Sequence, residues 1–168
     1  MKRILFCVLF LISFMGSNAQ EVNSEISNFR KNDLLLDPIT LIAGPIINVS
    51  YERLLSADHG IGISFIGGNG IDVTQISPFA RMYFGSKYAS GFFIEGFIPF
   101  TKSNDYNYET SQDIEVSTVG AGFGLGGKWF LKKNFLFELG GGVARRFGAN
   151  GAEENVTGKW MIGVGYRF

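Results

Sequence analysis

The sequence predicts an all-β chain that forms an eight-stranded antiparallel up-and-down transmembrane β-barrel. Three observations lead to this fold class. The N-terminus resembles that of an exported protein, apolar and polar residues alternate along most of the remaining chain, and the alternating segments are even in number. Alternation with a period of two gives each strand two different faces, and an even number of antiparallel strands can close into a membrane barrel.

Residues 1 to 19 have the pattern of a secretory signal peptide. Lys2 and Arg3 precede an apolar stretch from Ile4 to Met15, and Ser17 to Ala19 supply a small-residue cleavage site. The apolar stretch is too short to span a bilayer. We therefore expect an exported protein that is cleaved before Gln20.

The remainder of the chain is expected to contain a periplasmic tail at residues 20 to 32 and one barrel domain at residues 33 to 168. Cys7 lies in the predicted signal peptide, so no disulfide is expected in the mature chain. Two of the 15 basic side chains lie there as well, which leaves a slight excess of the 15 acidic ones. This balance does not predict the basic face that nucleic acid requires.

Eight segments alternate between apolar and polar or small residues. They are residues 33 to 42, 46 to 55, 60 to 67, 73 to 84, 91 to 102, 117 to 131, 135 to 147 and 159 to 168. Short turns at 56 to 60, 85 to 90 and 132 to 134 are predicted at one end of the barrel. Longer polar loops at 104 to 116 and 148 to 158, with a short connection at 43 to 45, are predicted at the other. Short periplasmic turns and longer extracellular loops are typical of outer-membrane barrels.

The fourth and fifth segments place bulky residues on their inward faces. These residues are Phe79, Arg81, Tyr83, Phe93, Glu95 and Phe97. The sixth segment places glycines on its inward face, at Gly120, Gly122, Gly124 and Gly126. The interior of an eight-stranded barrel is just wide enough for side chains to fill. A glycine wall that faces a bulky wall therefore predicts a packed lumen, with a small cavity as the open alternative.

The same glycines match a nucleotide-binding spacing, because Gly122, Gly124 and Gly127 form G-x-G-x-x-G. Such loops require a strand before them and a helix after them, since the helix N-terminus holds the phosphate. A short polar turn and a further apolar run from Phe135 follow here instead. We therefore interpret the segment as a strand and predict no nucleotide site.

Charged side chains within the strands are expected to face the lumen and to pair in a network that plugs it. On the predicted alternation, this set is Glu52, Arg81, Glu95, Lys128, Glu138, Arg146, Lys159 and Arg167. A basic side chain that faced lipid at the midplane would cost about 2–4 kcal/mol, which favours this sorting. Arg53 and Arg145 break the alternation, but both lie near strand ends, where this cost is smaller.

The last segment, KWMIGVGYRF, has one entirely apolar face and ends on an aromatic residue. Its outward residues are Trp160, Ile162, Val164, Tyr166 and Phe168. The pattern is similar to the C-terminal recognition signal of outer-membrane barrels, so we expect these residues to act as an assembly signal for the barrel assembly machinery. An edge strand of a soluble β-sandwich shows the same alternation and remains an alternative.

No catalytic, cofactor-binding or metal-binding residues are predicted. His59 is the sole histidine and lies in a predicted periplasmic turn. Barrel enzymes that act on lipopolysaccharide or peptides resemble one another in using a histidine near the outer leaflet, so His59 is expected at the wrong end. The acidic loop, with Asp105, Glu109, Asp113 and Glu115, lacks the spacing of an EF-hand and is interpreted as a solvated loop.

Four stretches resemble a family of small, uncharacterised outer-membrane β-barrel proteins of Gram-negative bacteria. They are NVSYERLL (48 to 55), ISPFARMYFG (76 to 85), GFFIEGF (91 to 97) and the terminal GVGYRF. More loosely, the chain is similar to the eight-stranded transmembrane domains of the outer-membrane protein A and X class. The resemblance implies a cell outer-membrane location and contact with outer-membrane lipid and lipopolysaccharide. It implies no activity and no cofactor.

We therefore expect a non-enzymatic, integral outer-membrane barrel with a structural or surface-interaction role through its extracellular loops. One alternative is a narrow channel or small-ligand carrier that uses space beside the glycine wall. Another is a soluble, periplasmic, lipocalin-like binding protein whose apolar face is a core. A third is an envelope enzyme that uses His59.

Overall fold

The computed structural model describes residues 30–69, 71, 73–107, 112–148 and 155–168. The predicted signal peptide and residues 20 to 29 of the predicted tail lie outside this set. The elements are β1 (Asn32–Leu36), α1 (Pro38–Ala43), β2 (Ile46–Leu54), β3 (His59–Gly68), β4 (Val73–Tyr83), β5 (Gly91–Phe97), β6 (Phe100–Asn107), β7 (Gln112–Lys132), β8 (Phe135–Phe147) and β9 (Val156–Arg167).

The strands form a closed antiparallel ring. β1 pairs with both β2 and β9, so the first and last strands meet. β5 and β6 together form one wall strand, because both pair with β4 and with β7 in a continuous register. The interruption falls at Ile98 and Pro99, opposite Pro78, and proline cannot donate to a ladder. The nine assigned strands thus make eight wall strands, which confirms the predicted eight-stranded barrel.

The predicted strand at residues 33 to 42 is wrong beyond Leu36, where α1 replaces it. Asp37 is the N-cap of this helix, and its Oδ1 accepts hydrogen bonds from the backbone N–H of Ile39 (2.9 Å) and Thr40 (3.2 Å). Pro38 occupies the first helical turn, where a missing N–H costs nothing and the fixed φ suits a helix. An Asp-Pro pair at the start of an apolar run is therefore a helix signal.

Polar contacts close the wall between β2 and β9 beyond Leu36, where β1 ends. Asn48 donates from Nδ2 to the backbone carbonyl of Trp160 at 2.9 Å. The backbone N–H of Ile162 donates to Oδ2 of Asp37 at 3.1 Å, and the N–H of Asp37 donates to the carbonyl of Asn48 at 2.9 Å. These bonds satisfy backbone groups that would otherwise lack a partner in an apolar environment.

The predicted loop at residues 104 to 116 is also largely wrong, because β6 and β7 continue as a paired hairpin as far as Asn107 and Gln112. β4 pairs with β6 only up to Ser103, and β8 ends opposite Val119. The hairpin therefore extends past the barrel rim. At about 3.3 Å per residue, residues 104 to 107 add roughly 13 Å beyond the last pairing with β4.

The two ends of the barrel differ. The turn end carries the short connections at 55–58, 84–90 and 133–134, and the loop end carries α1 and the β6–β7 hairpin. The outward aromatic residues lie toward both ends, with Phe84, Phe92, Trp129, Phe135, Tyr166 and Phe168 at the turn end and Phe100, Phe147 and Trp160 at the loop end. No helix among the described residues is long and apolar enough to cross a membrane.

The barrel is apolar outside and polar inside. Phe123 and Leu125 on the outer face of β7 are 68% and 57% exposed, whereas Lys128 and Glu138 in the lumen are fully buried. A water-soluble barrel has the opposite arrangement, with charges outside and apolar side chains inside. The outer surface is thus suited to contact with hydrocarbon.

Candidate functional site in the barrel lumen

Bulky lumenal side chains on β5 lie opposite glycines on β7. The directly paired residues are Phe93 with Gly126, Glu95 with Gly124, and Phe97 with Gly122. A Cβ atom added at Gly126 would lie 2.6 Å from Cζ of Phe93, and one at Gly122 would lie 2.7 Å from Cζ of Phe97. The glycine-rich segment therefore makes room for β5 side chains inside a strand, as the strand interpretation requires.

The same arrangement recurs around the rest of the lumen. Further pairs of a large residue with a glycine are Arg81 with Gly60, Phe79 with Gly62, Lys159 with Gly142, and Glu138 with Gly163. An eight-stranded barrel has too little internal width for long side chains on every strand. A Cβ atom added at Gly62 would meet Phe79, and those at Gly60 and Gly142 would meet Glu52 and Phe97, so these glycines make room for lumenal side chains of the ring.

Arg81 lies at the centre of an ionic network in the half of the lumen nearer the turn end. Its Nη1 and Nη2 each lie 2.8 Å from a carboxylate oxygen of Glu138, in a two-pronged ion pair. Its Nε donates to Glu95 at 2.8 Å, and Nη1 also donates to Glu52 at 3.1 Å. The guanidinium carbon lies 4.2 Å from the ring centre of Phe93, so the cation also contacts an aromatic face.

Lys128 links this cluster to the turn end. Its Nζ lies 2.5 Å from Glu52, 3.0 Å from Asp33 and 3.5 Å from Glu138. Arg167 in turn binds both carboxylate oxygens of Asp33, at 2.6 and 2.9 Å. The chain of contacts therefore runs without a break from Arg167 to Arg81.

Lys159 completes the network on the loop side, with Nζ 2.8 Å from Glu95 and 4.0 Å from the ring centre of Phe79. The network contains equal numbers of acids and bases, namely Asp33, Glu52, Glu95 and Glu138 with Arg81, Lys128, Lys159 and Arg167. Because the charges balance and every member is buried, the cluster fills this half of the lumen as a neutral unit.

Arg146, the eighth residue of the predicted charge set, lies in the lumen but apart from this network. It donates from Nε to the hydroxyl of Thr118 and from Nη2 to the hydroxyl of Ser103, both at 3.0 Å. Two residues that contact the network were not among the predicted lumenal charges.

Asp33 has the inward parity of its strand and pairs with Lys128 and Arg167. Tyr83 was expected inside the lumen as a bulky residue, and its hydroxyl also donates to Glu52 at 2.8 Å.

The turn between β4 and β5 folds across the lumen at the turn end. Arg167 donates to the backbone carbonyls of Tyr88 and Ala89, both at 2.8 Å, and the N–H of Ala89 donates to the carbonyl of Ala57. Ala89 has a φ of 41° and is fully buried, in contact with Leu54. Partial burial in this turn raises the pKa of Tyr88 above its ordinary value. The turn thus covers the end of the ionic network.

The half of the lumen nearer the loop end holds neutral polar side chains beside Arg146. Oε1 of Gln75 accepts from the hydroxyls of Thr101 (3.2 Å) and Thr157 (2.8 Å). Nε2 of Gln75 donates to the hydroxyl of Ser77 at 3.1 Å. Gln75, Thr101 and Ser77 are all buried, so this half of the lumen is also occupied.

A small cavity lies beside the network, between Arg81, Glu95, Glu138 and Lys159. Its volume is about 10 Å³. A space of this size holds about one water molecule, which the surrounding charges would hydrogen-bond. The predicted glycine wall therefore serves mainly for packing.

The residues of the predicted assembly signal lie on the outer face of β9. Trp160, Val164, Tyr166 and Phe168 are between 40% and 49% exposed, and Ile162 is half-buried. Tyr166 packs edge-on against Phe135 of β8, with ring centres 5.4 Å apart. These five residues therefore form a continuous apolar strip on the outer face of β9, next to the strand pair of β9 with β1 that closes the barrel.

His59 lies at the turn end, as the sequence predicts. Its Nδ1 lies 3.1 Å from the hydroxyl of Ser56, and that hydroxyl accepts hydrogen bonds from the backbone N–H groups of Asp58 and His59. This is a local turn motif in which the serine oxygen supports the backbone. Within the described ranges, no group of three or more histidine, cysteine or carboxylate side chains is placed to hold a metal ion.

No protein-family model matches the sequence, and a search of curated proteins finds no match. Among solved structures, the chain is similar to the N-terminal β-barrel domain of OprF from Pseudomonas aeruginosa. The TM-score is 0.59 at 16% sequence identity, and the match covers 83% of this chain and 98% of that chain. At this identity the similarity shows the fold.

Proposed function

We propose that this protein is a non-enzymatic integral outer-membrane barrel whose lumen is closed by its own side chains and which acts through its loop end. The observation that carries the proposal is the reversed polarity of the wall, with apolar residues outside and a neutral charge network inside. Similarity to the β-barrel domain of OprF supports the membrane location. A soluble lipocalin-like binder would need its apolar face to be the core, yet outward residues such as Phe123 remain exposed.

A closed lumen is favoured over a channel because side chains occupy the barrel along its length. The charged cluster around Arg81 fills the half nearer the turn end, the Gln75 cluster fills the half nearer the loop end, and the 85–90 turn crosses the turn end. Opening a path would require buried ion pairs to separate, and leaving one partner of such a pair unpaired is strongly unfavourable. The channel and carrier alternatives therefore need these buried groups to rearrange, because the cavity beside Arg81 measures only about 10 Å³.

The β6–β7 hairpin supports a surface-interaction role. It extends past the last pairing of β6 with β4 at Ser103, so the edge of β6 from Asn104 onward pairs only with β7 among the described residues. A free strand edge offers backbone donors and acceptors to a partner. An exposed ion pair between Lys102 and Glu115, at 2.8 Å, lies at the base of this hairpin.

Conductance across a planar lipid bilayer tests the closed lumen. The purified protein, inserted in folded form, is expected to give no single-channel steps, while a general porin in the same bilayer gives them. Steady steps that disappear in a Gly124→Leu variant would instead establish a pore beside the glycine wall. Detectable lipid-acyl turnover that is lost in His59→Ala would establish the enzyme alternative.

A further inference from the structure

The turn end of the barrel is strongly basic on its exposed surface. The exposed cations there are Arg30, Arg53, Lys87, Lys132 and Lys133, and Lys31 is half-buried beside them. Among the described side chains at this end, Asp58 is the exposed carboxylate, since Asp33 is buried in its pair with Arg167. An excess of exposed positive charge at one end of a membrane barrel is a surface for anions.

Part of this surface is concave. An open pocket of about 650 Å³ is lined by residues that include Arg30, Lys87, Tyr88, Phe130, Lys133 and Arg167. Arg167 is already paired with Asp33, and its guanidinium lies 4.7 Å from the ring centre of Phe130, so it forms part of the floor. Arg30, Lys87 and Lys133 make no ion pair with another described residue, and they provide the charge that a ligand would meet.

Arg30 lies where the pocket meets the lipid-facing wall. Its Nη1 donates to the hydroxyl of Tyr166 at 2.8 Å and to the carbonyl of Arg167 at 3.3 Å, and its guanidinium lies 5.7 Å from the Tyr166 ring centre. Tyr166 faces outward and packs against Phe135, which is 57% exposed. A cationic pocket is thus continuous with an apolar, aromatic outer face.

We propose that this pocket binds the phosphate of an anionic phospholipid in the leaflet at the turn end. Lysine and arginine bind phosphate oxygens through charge-assisted hydrogen bonds, and basic pockets beside membrane-spanning segments bind anionic headgroups. The acyl chains would lie along the outer face at Phe135 and Tyr166. This continuity favours a lipid over a soluble phosphate compound, which would gain nothing from the apolar border. The inference rests on the proposed membrane location.

Lipid retention measured by native mass spectrometry tests the site. The protein is folded into mixed micelles or nanodiscs with equal phosphatidylglycerol and phosphatidylcholine, and the retained lipids are counted. We expect phosphatidylglycerol to be enriched over phosphatidylcholine, and Lys133→Ala to reduce that enrichment about fivefold, which corresponds to about 1 kcal/mol per basic residue near an anionic surface. Lys132→Ala is the matched control, because it removes the same charge from the adjacent position at the end of β7 but does not line the pocket.

Equal retention of the two lipids would overturn the inference, and so would equal losses in Lys132→Ala and Lys133→Ala, since only net charge would then matter. Competition by inorganic phosphate distinguishes a phospholipid headgroup from a soluble phosphate compound as the ligand. Displacement of phosphatidylglycerol by millimolar phosphate would identify a site for soluble phosphate compounds and overturn the lipid assignment, whereas retention supports it. Failure of the protein to enter nanodiscs would contradict the proposed function itself, so the two failures are distinguishable.

Discussion

Arg81 and Glu138 form a two-pronged ion pair across the barrel lumen, with both nitrogen–oxygen distances at 2.8 Å. The residues lie on β4 and β8, which are not neighbours in the wall. The pair therefore connects distant parts of the ring through the interior rather than along it. Because both side chains are buried, each depends on the other for compensation of its charge.

Replacement of Arg81 by methionine should strongly destabilise the barrel. Glu52, Glu95 and Glu138 would each lose a partner while remaining buried, and removal of one partner of a buried pair typically costs about 3–5 kcal/mol. The free energy of unfolding, measured by urea titration in lipid vesicles, is expected to fall by this amount. Lys102→Met is the control, because the exposed pair of Lys102 with Glu115 should contribute no more than about 1 kcal/mol. Equal effects of the two changes would contradict the proposed role of the network.

Gly126→Ala should lower stability although alanine is otherwise better tolerated in a strand. The added Cβ would lie 2.5 Å from the carbonyl oxygen of Leu139 and 2.6 Å from Cζ of Phe93, so the lumen must shift. Overpacking of this kind costs about 1–3 kcal/mol. Gly96→Ala, where no atom lies within 4 Å of the added Cβ, should leave the unfolding midpoint unchanged or raise it. A loss in Gly96→Ala as large as that in Gly126→Ala would show that lumenal crowding is not the cause.

Asp37→Ala should weaken the contact between β2 and β9 beyond the end of β1. The change removes the helix cap at Ile39 and Thr40 and the acceptor for the N–H of Ile162. Leaving a buried donor unsatisfied costs about 1–3 kcal/mol, so hydrogen exchange at the Ile162 amide, followed by NMR in micelles, should accelerate. Asp37→Asn keeps one acceptor oxygen, which can serve either the helix cap or the Ile162 N–H but not both, so it should restore only part of the protection. Unchanged exchange in Asp37→Ala would mean that α1 alone closes the seam.

Phe168→Ala should reduce assembly into the outer membrane more than it reduces the stability of the folded barrel. Phe168 is 49% exposed, so its removal takes little from the packed interior, whereas it ends the apolar strip expected to be read by the assembly machinery. The fraction of heat-modifiable protein in isolated outer membranes measures assembly. Phe135→Ala, which removes an outward aromatic residue at the same end of β8, is the matched control and should assemble normally. Equal defects would indicate a general need for aromatic residues at this interface.

Alternation, together with the export signal and the even number of segments, was sufficient to predict the closed barrel and the inward direction of the charged side chains. A residue such as Lys128 can be assigned to the lumen from its neighbours, because a β-strand places successive side chains on opposite faces. The identity of its partners could not be predicted, since Asp33 and Glu52 reach it through tertiary geometry across the lumen. Asp33 shares the inward parity of Leu35, so the outward Leu34 and Leu36 that follow it are the signal that could have assigned it to the lumen.

The predictions that were wrong fall where local signals compete with alternation. Residues 38 to 42 alternate as a strand would, but Asp37 and Pro38 start a helix. Residues 104 to 107 were assigned to a loop because polar residues on both faces remove the alternation that marks a half-buried strand. Alternation marks a strand with one buried face, so a polar stretch without it is not recognised as a strand even where its backbone pairs, as β6 does with β7 here.

Heat-modifiability of the protein extracted from isolated outer membranes tests the central claim most directly. A closed membrane barrel resists unfolding in detergent, so the unboiled protein should migrate differently from the boiled protein on a denaturing gel. We expect such a mobility shift for protein recovered in the outer-membrane fraction. Recovery in the soluble periplasmic fraction, with no shift on boiling, would contradict it and would make the outward apolar face the core of a different protein.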